Sequence, residues 1–479
     1  MLQRPFLPII TFCYLLLLLV SSGAAHPAAS ALPASWFYES VQASADLGYA
    51  VGSAGDVNGD GYLDVVVGAV KYAQSSVKGG AVFLFYGGPG GLRSQPDWFF
   101  GTDMNGAELG AAVAGAGDVN GDGYDDLIVG APGCSSPEPK EGCVFVFYGA
   151  AGGLRSTPDQ TLQLDRRDSY LGTAVDAAGD VNGDGYADVI VGAKWYTDNQ
   201  TNEGAAFLFL GGADGLSATP AWQFKGNQGG ASLGTAVAGV GDVNGDGFDD
   251  VLVGAPFFDH DNAIDAGYAA LFLGSADGLT AAPTWELSGS HTNARLGYAV
   301  AGAGDVNGDG LPDFLIGAPG WPNPADQAVG AAFLFAGTDN WTTVTPLWTA
   351  VSDQPNAQFG AAVSSAGDMN GDGYADVVVG AYRYSQGQSK EGAIFIYLGT
   401  PGGPTPLPHW TAEGNKADTM FGFSVAPAGE VNGDGYADLL VGAPEYRNQT
   451  ELRGRAFLFT GRDANAPTCT IFLPIISDN

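Results

Sequence analysis

Positive charge is scarce in this sequence. Its 18 lysines and arginines face 52 aspartates and glutamates, for a formal net charge of −34. A chain so charged is a poor partner for nucleic acid or for an anionic membrane surface. Histidine is nearly absent. Beyond residue 31 only His260, His291 and His409 occur, at non-equivalent places and with no serine or cysteine in a recognisable catalytic context. General-base and nucleophilic chemistry therefore find little support. Cysteine is equally rare, with four in 479 residues. Cys13 lies in the N-terminal apolar run, Cys469 stands alone near the end, and Cys134 and Cys143 flank "CSSPEPKEGC". In an oxidising compartment that close pair is expected to form a disulfide worth roughly 2–3 kcal/mol, the alternative being two small buried thiols. Long apolar runs are missing after residues 6–20. That run follows Arg4, contains Pro8 and leads into the small residues of 22–25 and 29–31. It has the three-part form of a secretory signal over residues 1–31, cleaved somewhere in 24–31, and is short for a membrane span. The mature chain is thus expected to carry no span and to be secreted or displayed at the cell surface. Sequons at Asn199, Asn340 and Asn448 bear on this only in a host that glycosylates them.

What is plentiful is glycine, 75 residues of it, and a hydrophobic fraction of 45% that argues against disorder despite the charge. The glycines fall in a repeat. "GDVNGDGYLDVVVGA" over residues 55–69 returns six more times, with first acidic residues Asp56, Asp118, Asp180, Asp242, Asp305, Asp368 and Glu430, spaced by 62 or 63. So regular a period is an architecture. In each unit a small-residue run such as "LGAAVAGAGD" precedes the acidic loop, "DLIVGAP" follows it, and "GCVFVFYG" comes after a variable loop. A fourth segment carries Trp98, Trp222, Trp285, Trp348 or Trp410, with Gln160 in the second unit. Short β-branched and aromatic runs between glycine-rich turns, without helical periodicity, read as strands. Four antiparallel strands per unit, repeated around a circle, predict an all-β, seven-bladed propeller over residues 32–462, with a tail at 463–479. The seventh unit lacks its tryptophan strand. Trp36 lies 62 residues before Trp98, and Phe472 lies 62 after Trp410. Residue type and the nearby Pro33 favour the N-terminal strand as the closing one, which would remove an open edge.

The pairs Phe359-Gly360 and Phe421-Gly422, with Leu-Gly in the other units, and the triplets Gly130-Ala131-Pro132, Gly254-Ala255-Pro256, Gly317-Ala318-Pro319 and Gly442-Ala443-Pro444 resemble FG-GAP repeats. Such repeats build the propeller at the N-terminus of integrin α subunits. The resemblance covers about residues 36–462 and implies seven blades with calcium in the loops between first and second strands. The chain departs from integrin α subunits by carrying acidic loops in all seven units. With neither leg domains nor a membrane span in view, the chain is expected to be a propeller alone and not an integrin subunit.

The loops carry the chemistry. In "DVNGDGYLD" oxygen-bearing side chains occupy positions 1, 3, 5 and 9, as Asp56, Asn58, Asp60 and Asp64, and Tyr62 at position 7 can offer its carbonyl. The corresponding residues are Asp118, Asn120, Asp122, Tyr124 and Asp126 in the second loop, and Asp180, Asn182, Asp184, Tyr186 and Asp188 in the third. The fourth has Asp242, Asn244, Asp246, Phe248 and Asp250; the fifth has Asp305, Asn307, Asp309, Leu311 and Asp313. The sixth has Asp368, Asn370, Asp372, Tyr374 and Asp376; the seventh has Glu430, Asn432, Asp434, Tyr436 and Asp438. An all-oxygen set with several carboxylates suits Ca²⁺, up to seven ions, and no thiol or imidazole stands near to favour zinc. The strand that follows, and the wide spacing of copies, count against an EF-hand and against dockerin modules. Asn-Gly and Asp-Gly turns alone would explain the glycines but not the carboxylates. Three of them about 5 Å apart would repel by roughly 3 kcal/mol per pair at an effective dielectric near 20. The longer arm of Glu430 is expected to loosen its site, and Asp125 and Asp249 at position 8 are expected to be solvated.

What varies is sought on the other face, in loops such as "KWYTDNQTNEG" and "PFFDHDNAIDAG". Six units place an aromatic at one offset after the VGA or IGA glycine: Tyr72, Tyr196, Phe258, Trp321, Tyr384 and Tyr446. A fixed offset favours packing between neighbouring blades over binding. Trp195 and Phe257 do not recur and are the better ligand candidates. The expected function is a monomeric extracellular scaffold binding a protein or glycan, with adhesion implied by the resemblance. A lectin is the alternative, and a glycoside hydrolase or lyase on the same scaffold is less supported.

Overall fold

Each of the first six repeats folds into one antiparallel sheet of four strands, and the seventh supplies three. The computed structural model describes residues 30–464; the apolar run at 6–20, Cys469 and Phe472 lie outside them. The second unit shows the pattern: Ala112–Gly117, Asp126–Ala131, Cys143–Phe147 and Gln160–Leu162, hydrogen-bonded in that order. The first strands of the other units are Leu47–Gly55, Leu171–Gly179, Ala236–Gly241, Ala299–Gly304, Phe359–Gly367 and Ser424–Gly429. These seven stand side by side around the axis, and the last touches the first. The molecule is a seven-bladed β-propeller. Small residues dominate the first strands because the blades converge there. The one helical turn among the described residues is the 3-10 turn Trp341–Thr343.

Blade seven is closed by the N-terminal strand. Trp36–Glu39 pairs antiparallel with Arg455–Phe459, and Trp36 lies opposite Leu458. The indole explains the choice. Trp36 Nε1 donates to the Arg93 carbonyl of the next blade at 2.9 Å, as Trp98 does to Arg155 at 2.8 Å and Trp222 to Thr280 at 3.0 Å. In the second blade Gln160 replaces the indole with its amide, reaching the Leu216 carbonyl at 2.7 Å. A phenylalanine has no such donor. Ahead of Trp36, Ser30–Ala31 runs parallel to the outer strand of blade six and makes that sheet five-stranded.

Every second strand is buried along its whole length, because both faces of each sheet meet a neighbour. Side chains alternate across the sheet. Val65 and Val67 pack toward blade seven and Val66 toward blade two. The glycine motifs serve the same contact. A Cβ placed on Gly68 would overlap the carbonyl of Gly110 in the next blade, and one on Gly442 would overlap that of Gly48, with the same relation at every interface. Parallel bridges from Gly80–Leu109 through Gly454–Leu47 complete the ring. The six recurrent aromatics do pack, first against the third strand of their own blade. Their partners are Phe83, Phe207, Tyr268, Phe333, Phe395 and Phe457, with ring centroids 5.0–5.8 Å apart.

Candidate functional site

Strand order puts the acidic loops and the glycine-rich turns on one face. In the first loop Asp56 is the hub: its Oδ1 accepts from the amides of Gly59 and Asp60 at 2.8 and 3.1 Å, and its Oδ2 from Gly61 at 2.8 Å. Asn58 Oδ1 accepts from Asp60, and Asp60 Oδ1 accepts from Tyr62. Gly59 and Gly61 make the tight wrap possible with φ of +73° and +90°. The same three hub bonds are made by Asp118, Asp180, Asp242, Asp305 and Asp368. Glu430 keeps only the bond to Gly435, so the seventh loop is held by fewer ties.

The ninth-position aspartates are different in kind. Asp64 is fully buried at the head of the second strand, with Oδ2 on the Val57 amide at 3.1 Å and Oδ1 on Gly87 at 3.0 Å. Burial pushes its carboxyl up to about 7; those amides oppose the rise, and the charges of Asp60 and Asp56 add to it. Asp126, Asp188, Asp250 and Asp313 are likewise at about 7, Asp376 at about 8 and Asp438 at about 6. Each loop therefore holds three carboxylates within electrostatic reach of one another, although no such group converges on a common centre among the described residues. The donor set fits a hard cation. It is all oxygen, its excess charge lacks a positive partner in the loop, and each Asp64 oxygen carries one amide and so retains a free lone pair.

The loops also form a ring. The Tyr124 side chain covers Gly59 of the preceding loop, Tyr186 covers Gly121, and Tyr62 covers Gly433. Asp125 and Asp249, expected from the sequence to be solvated, are instead half-buried and bonded to the neighbouring blade. They accept the backbone amides of Asp56 and Asp180 in the preceding blade, each at 2.8 Å. Residue spacing within one repeat gives no sign of this bond, because the acceptor lies 69 residues from the donor.

On the opposite face Trp195 is 41% exposed and stands edge-on to Tyr170, with centroids 4.4 Å apart. Phe257 is half-buried beneath the Arg295 guanidinium. Cys134 and Cys143 are joined in a buried disulfide, with Cys134 at the offset that holds an aromatic in the other blades. Sequence reading missed the buried Glu141, Glu203 and Glu391, each just before the glycine that opens a third strand. Glu203 Oε1 takes the amides of Asp198 and Asn199, and Glu391 Oε1 takes those of Gln386, Gly387 and Gln388. The recurrent Glu-Gly of these blades was the available signal.

Comparison with known proteins agrees with this geometry. Integrin alpha-5 of Xenopus laevis is 31% identical over 227 residues, which is 46% of this chain and 20% of that protein. Integrin alpha-PS2 of Drosophila melanogaster is 29% identical over 319 residues, 59% of this chain and 21% of that protein. Integrin alpha-IIb of Mus musculus is 37% identical over 169 residues, 34% of this chain and 16% of that protein. The chain thus spans about a fifth of the length of these relatives. FG-GAP repeats are matched at residues 47–85, 109–134, 171–209, 233–272, 296–335, 359–397 and 421–454, one in each blade and together more than half of the sequence. With the paired glycines of those repeats found at every blade interface, the chain belongs to the FG-GAP repeat family.

Proposed function

We propose that this chain is an extracellular propeller, loaded with up to seven calcium ions, that presents its variable face to a protein or glycan ligand in the manner of an adhesion scaffold. The observation that carries the reading is the contrast between the two faces. One face repeats an acidic loop in every blade, with the same hub hydrogen bonds in six of the seven; the other differs in length and composition from blade to blade. Bound calcium would supply the positive charge that the clustered carboxylates lack. The chain's own part is to wrap each loop on its first acidic residue and to hold the ninth-position aspartate at the strand head. The integrin alpha relatives support an adhesion role, and the disulfide supports an oxidising compartment.

Thermal melting with and without excess chelator tests the metal. Extracellular modules bind calcium at about 10⁻⁴ M or tighter, so chelation is expected to lower the melting temperature substantially. An unchanged curve would sink the calcium reading. An array of extracellular-matrix proteins and glycans tests the ligand. Trp195→Ala or Phe257→Ala is expected to weaken capture without altering calcium affinity, and Asp184→Ala to do the reverse. Capture that follows Asp184 and ignores both aromatics would place the ligand on the wrong face, and capture of free sugars at repeated pockets would favour a lectin.

A further inference from the structure

On the acidic-loop face, neighbouring blades meet by one plan but fill the gap beneath the glycine-rich turn differently. After each third strand, one residue precedes the glycine that donates to the ninth-position aspartate. It is Tyr86, Tyr148, Leu210 and Leu273 in blades one to four. In the blade that follows each of these, the fourth residue after the same glycine is Gly153, Gly215, Gly278 and Trp341. Between blades one and two a Cβ on Gly153 would overlap the Tyr86 hydroxyl, and between two and three one on Gly215 would overlap that of Tyr148. Burial pushes both phenols up, and the amides of Leu154 and Leu216, bonded to their oxygens, oppose the rise. Between blades four and five Trp341 packs beside Leu273 from the other side. Between five and six Leu347 takes the place, 3.0 Å from a Cβ built on Gly403.

The boundary between blades three and four has none of these fillings. Leu210 does not reach Gly278, and a Cβ on that glycine would meet nothing within 4 Å. A cavity of about 210 Å³ results, walled by Leu208, Leu210, Trp222 and Leu279, with Asn182 and Asp277 as polar members. The aromatic wall is fixed, since Trp222 Nε1 donates to the Thr280 carbonyl at 3.0 Å. Leu279 follows Gly278 as Leu154 follows Gly153, and its amide donates to no acceptor among the described residues.

We propose that this cavity binds the side chain of a tyrosine on a protein partner, its ring between Trp222 and the leucines and its oxygen on the Leu279 amide. The protein itself puts a phenol in this place at two other boundaries, against the corresponding glycine and amide. An aromatic ring gains from apolar walls, and a donor without an acceptor gains when one arrives. Pockets that enclose a small-molecule ligand measure about 300–1,000 Å³, so this one suits a side chain carried by a larger partner. Asp277 and the surrounding acidic loops disfavour a phosphorylated or sulfated tyrosine. The site lies opposite the variable face and does not depend on the ligand reading given above.

The test is a ligand-observed NMR titration of the calcium-loaded protein with a Gly-Gly-Tyr-Gly-Gly amide peptide, its Phe and phosphotyrosine counterparts, and p-cresol as the bare side chain. The Tyr peptide is expected to bind with a Kd of about 10⁻³ M, p-cresol no tighter, the Phe peptide about fivefold weaker and the phosphotyrosine peptide weaker by about tenfold or more. Two variants copy fillings used elsewhere in the ring. Leu210→Tyr supplies the phenol of blades one and two, and Ala221→Leu, in the cavity wall, supplies the leucine found at the matching position as Leu347. Each is expected to weaken the Tyr peptide by about tenfold or more, with melting curves at or above wild type showing that it folds. Trp195→Ala, on the opposite face, should bind the peptide as wild type does. No binding of the Tyr peptide, Phe or phosphotyrosine peptides binding as well, or unaltered affinity in both variants overturns the proposal. So does loss of binding in Trp195→Ala, which would move the peptide to the variable face, and so does p-cresol binding about tenfold tighter than the peptide, which would favour a free phenol.

Discussion

At the residue scale the decisive positions are those where two blades touch through backbone. Gly68 and Gly110 belong to different repeats, yet a methyl on the first has no room beside the carbonyl of the second. Gly68→Ala is therefore expected to destabilise the protein by about 3 kcal/mol through overpacking that backbone cannot relieve. Gly90→Ala, in the same blade with open space around it, should be close to neutral. Chemical denaturation of the pair checks this. A single charge in the channel wall makes a second case. Asp176 is the one carboxylate at its position among the first strands, where the others have Gly52, Ala114, Ala238, Ala301, Ser364 and Ala426. It accepts the Gly239 amide of the next blade, and burial raises its carboxyl from 3.8 to about 7. A raised acid contributes stability that is whole below the unfolded value of 3.8 and lost as pH rises through about 7. Asp176→Asn should thus match wild type at pH 3.5 and exceed it at pH 8 by about 1–3 kcal/mol in saturating calcium. Equal pH profiles would show that the carboxyl titrates normally.

At the element scale the loops divide into two kinds by what holds them. The acidic loops are wound on their first residue and linked to their neighbours by Tyr124 on Gly59 and by Asp125 on the Asp56 amide. The variable loops of blades two, three and six are instead pinned from below by a buried glutamate. Glu391→Ala strips three amides of their acceptor and is expected to cost about 1–3 kcal/mol. The loss should appear as faster hydrogen exchange at Gln386, Gly387 and Gln388, with Glu391→Gln much nearer to wild type. Unchanged exchange at those amides would remove the glutamate as the anchor. The acidic loops were legible in the sequence because their donors are local, all within nine residues. The glutamate anchors were not, since burial rather than spacing makes Glu391 matter.

At the scale of the whole molecule the ring depends on one strand crossing from the N-terminus. Trp36 packs edge-on against Phe85 of blade one at 5.0 Å while its strand completes blade seven. Deleting residues 32–40 should bare the outer edge of Arg455–Phe459 and lower the melting temperature sharply, with association through the open edge. Trp36→Phe keeps the ring but loses the bond to Arg93, a loss of about 1 kcal/mol. Deleting residues 465–479 should leave the melting temperature near that of the intact chain; the opposite ranking would mean that the closure has been misassigned.

The sequence alone determined the number of blades, the order of strands and the seven acidic loops, because each is written in residues that lie close together and recur at one period. It also narrowed the closing strand to two candidates in phase. Only the tertiary structure chose between them, by the indole bond from Trp36 to Arg93 across a blade boundary. The tertiary structure likewise made Asp125, expected to be a solvated charge, a link between blades. The physical reason is the same in each case. Local spacing sets what one blade can form, whereas circular closure decides which residues of different blades come into contact.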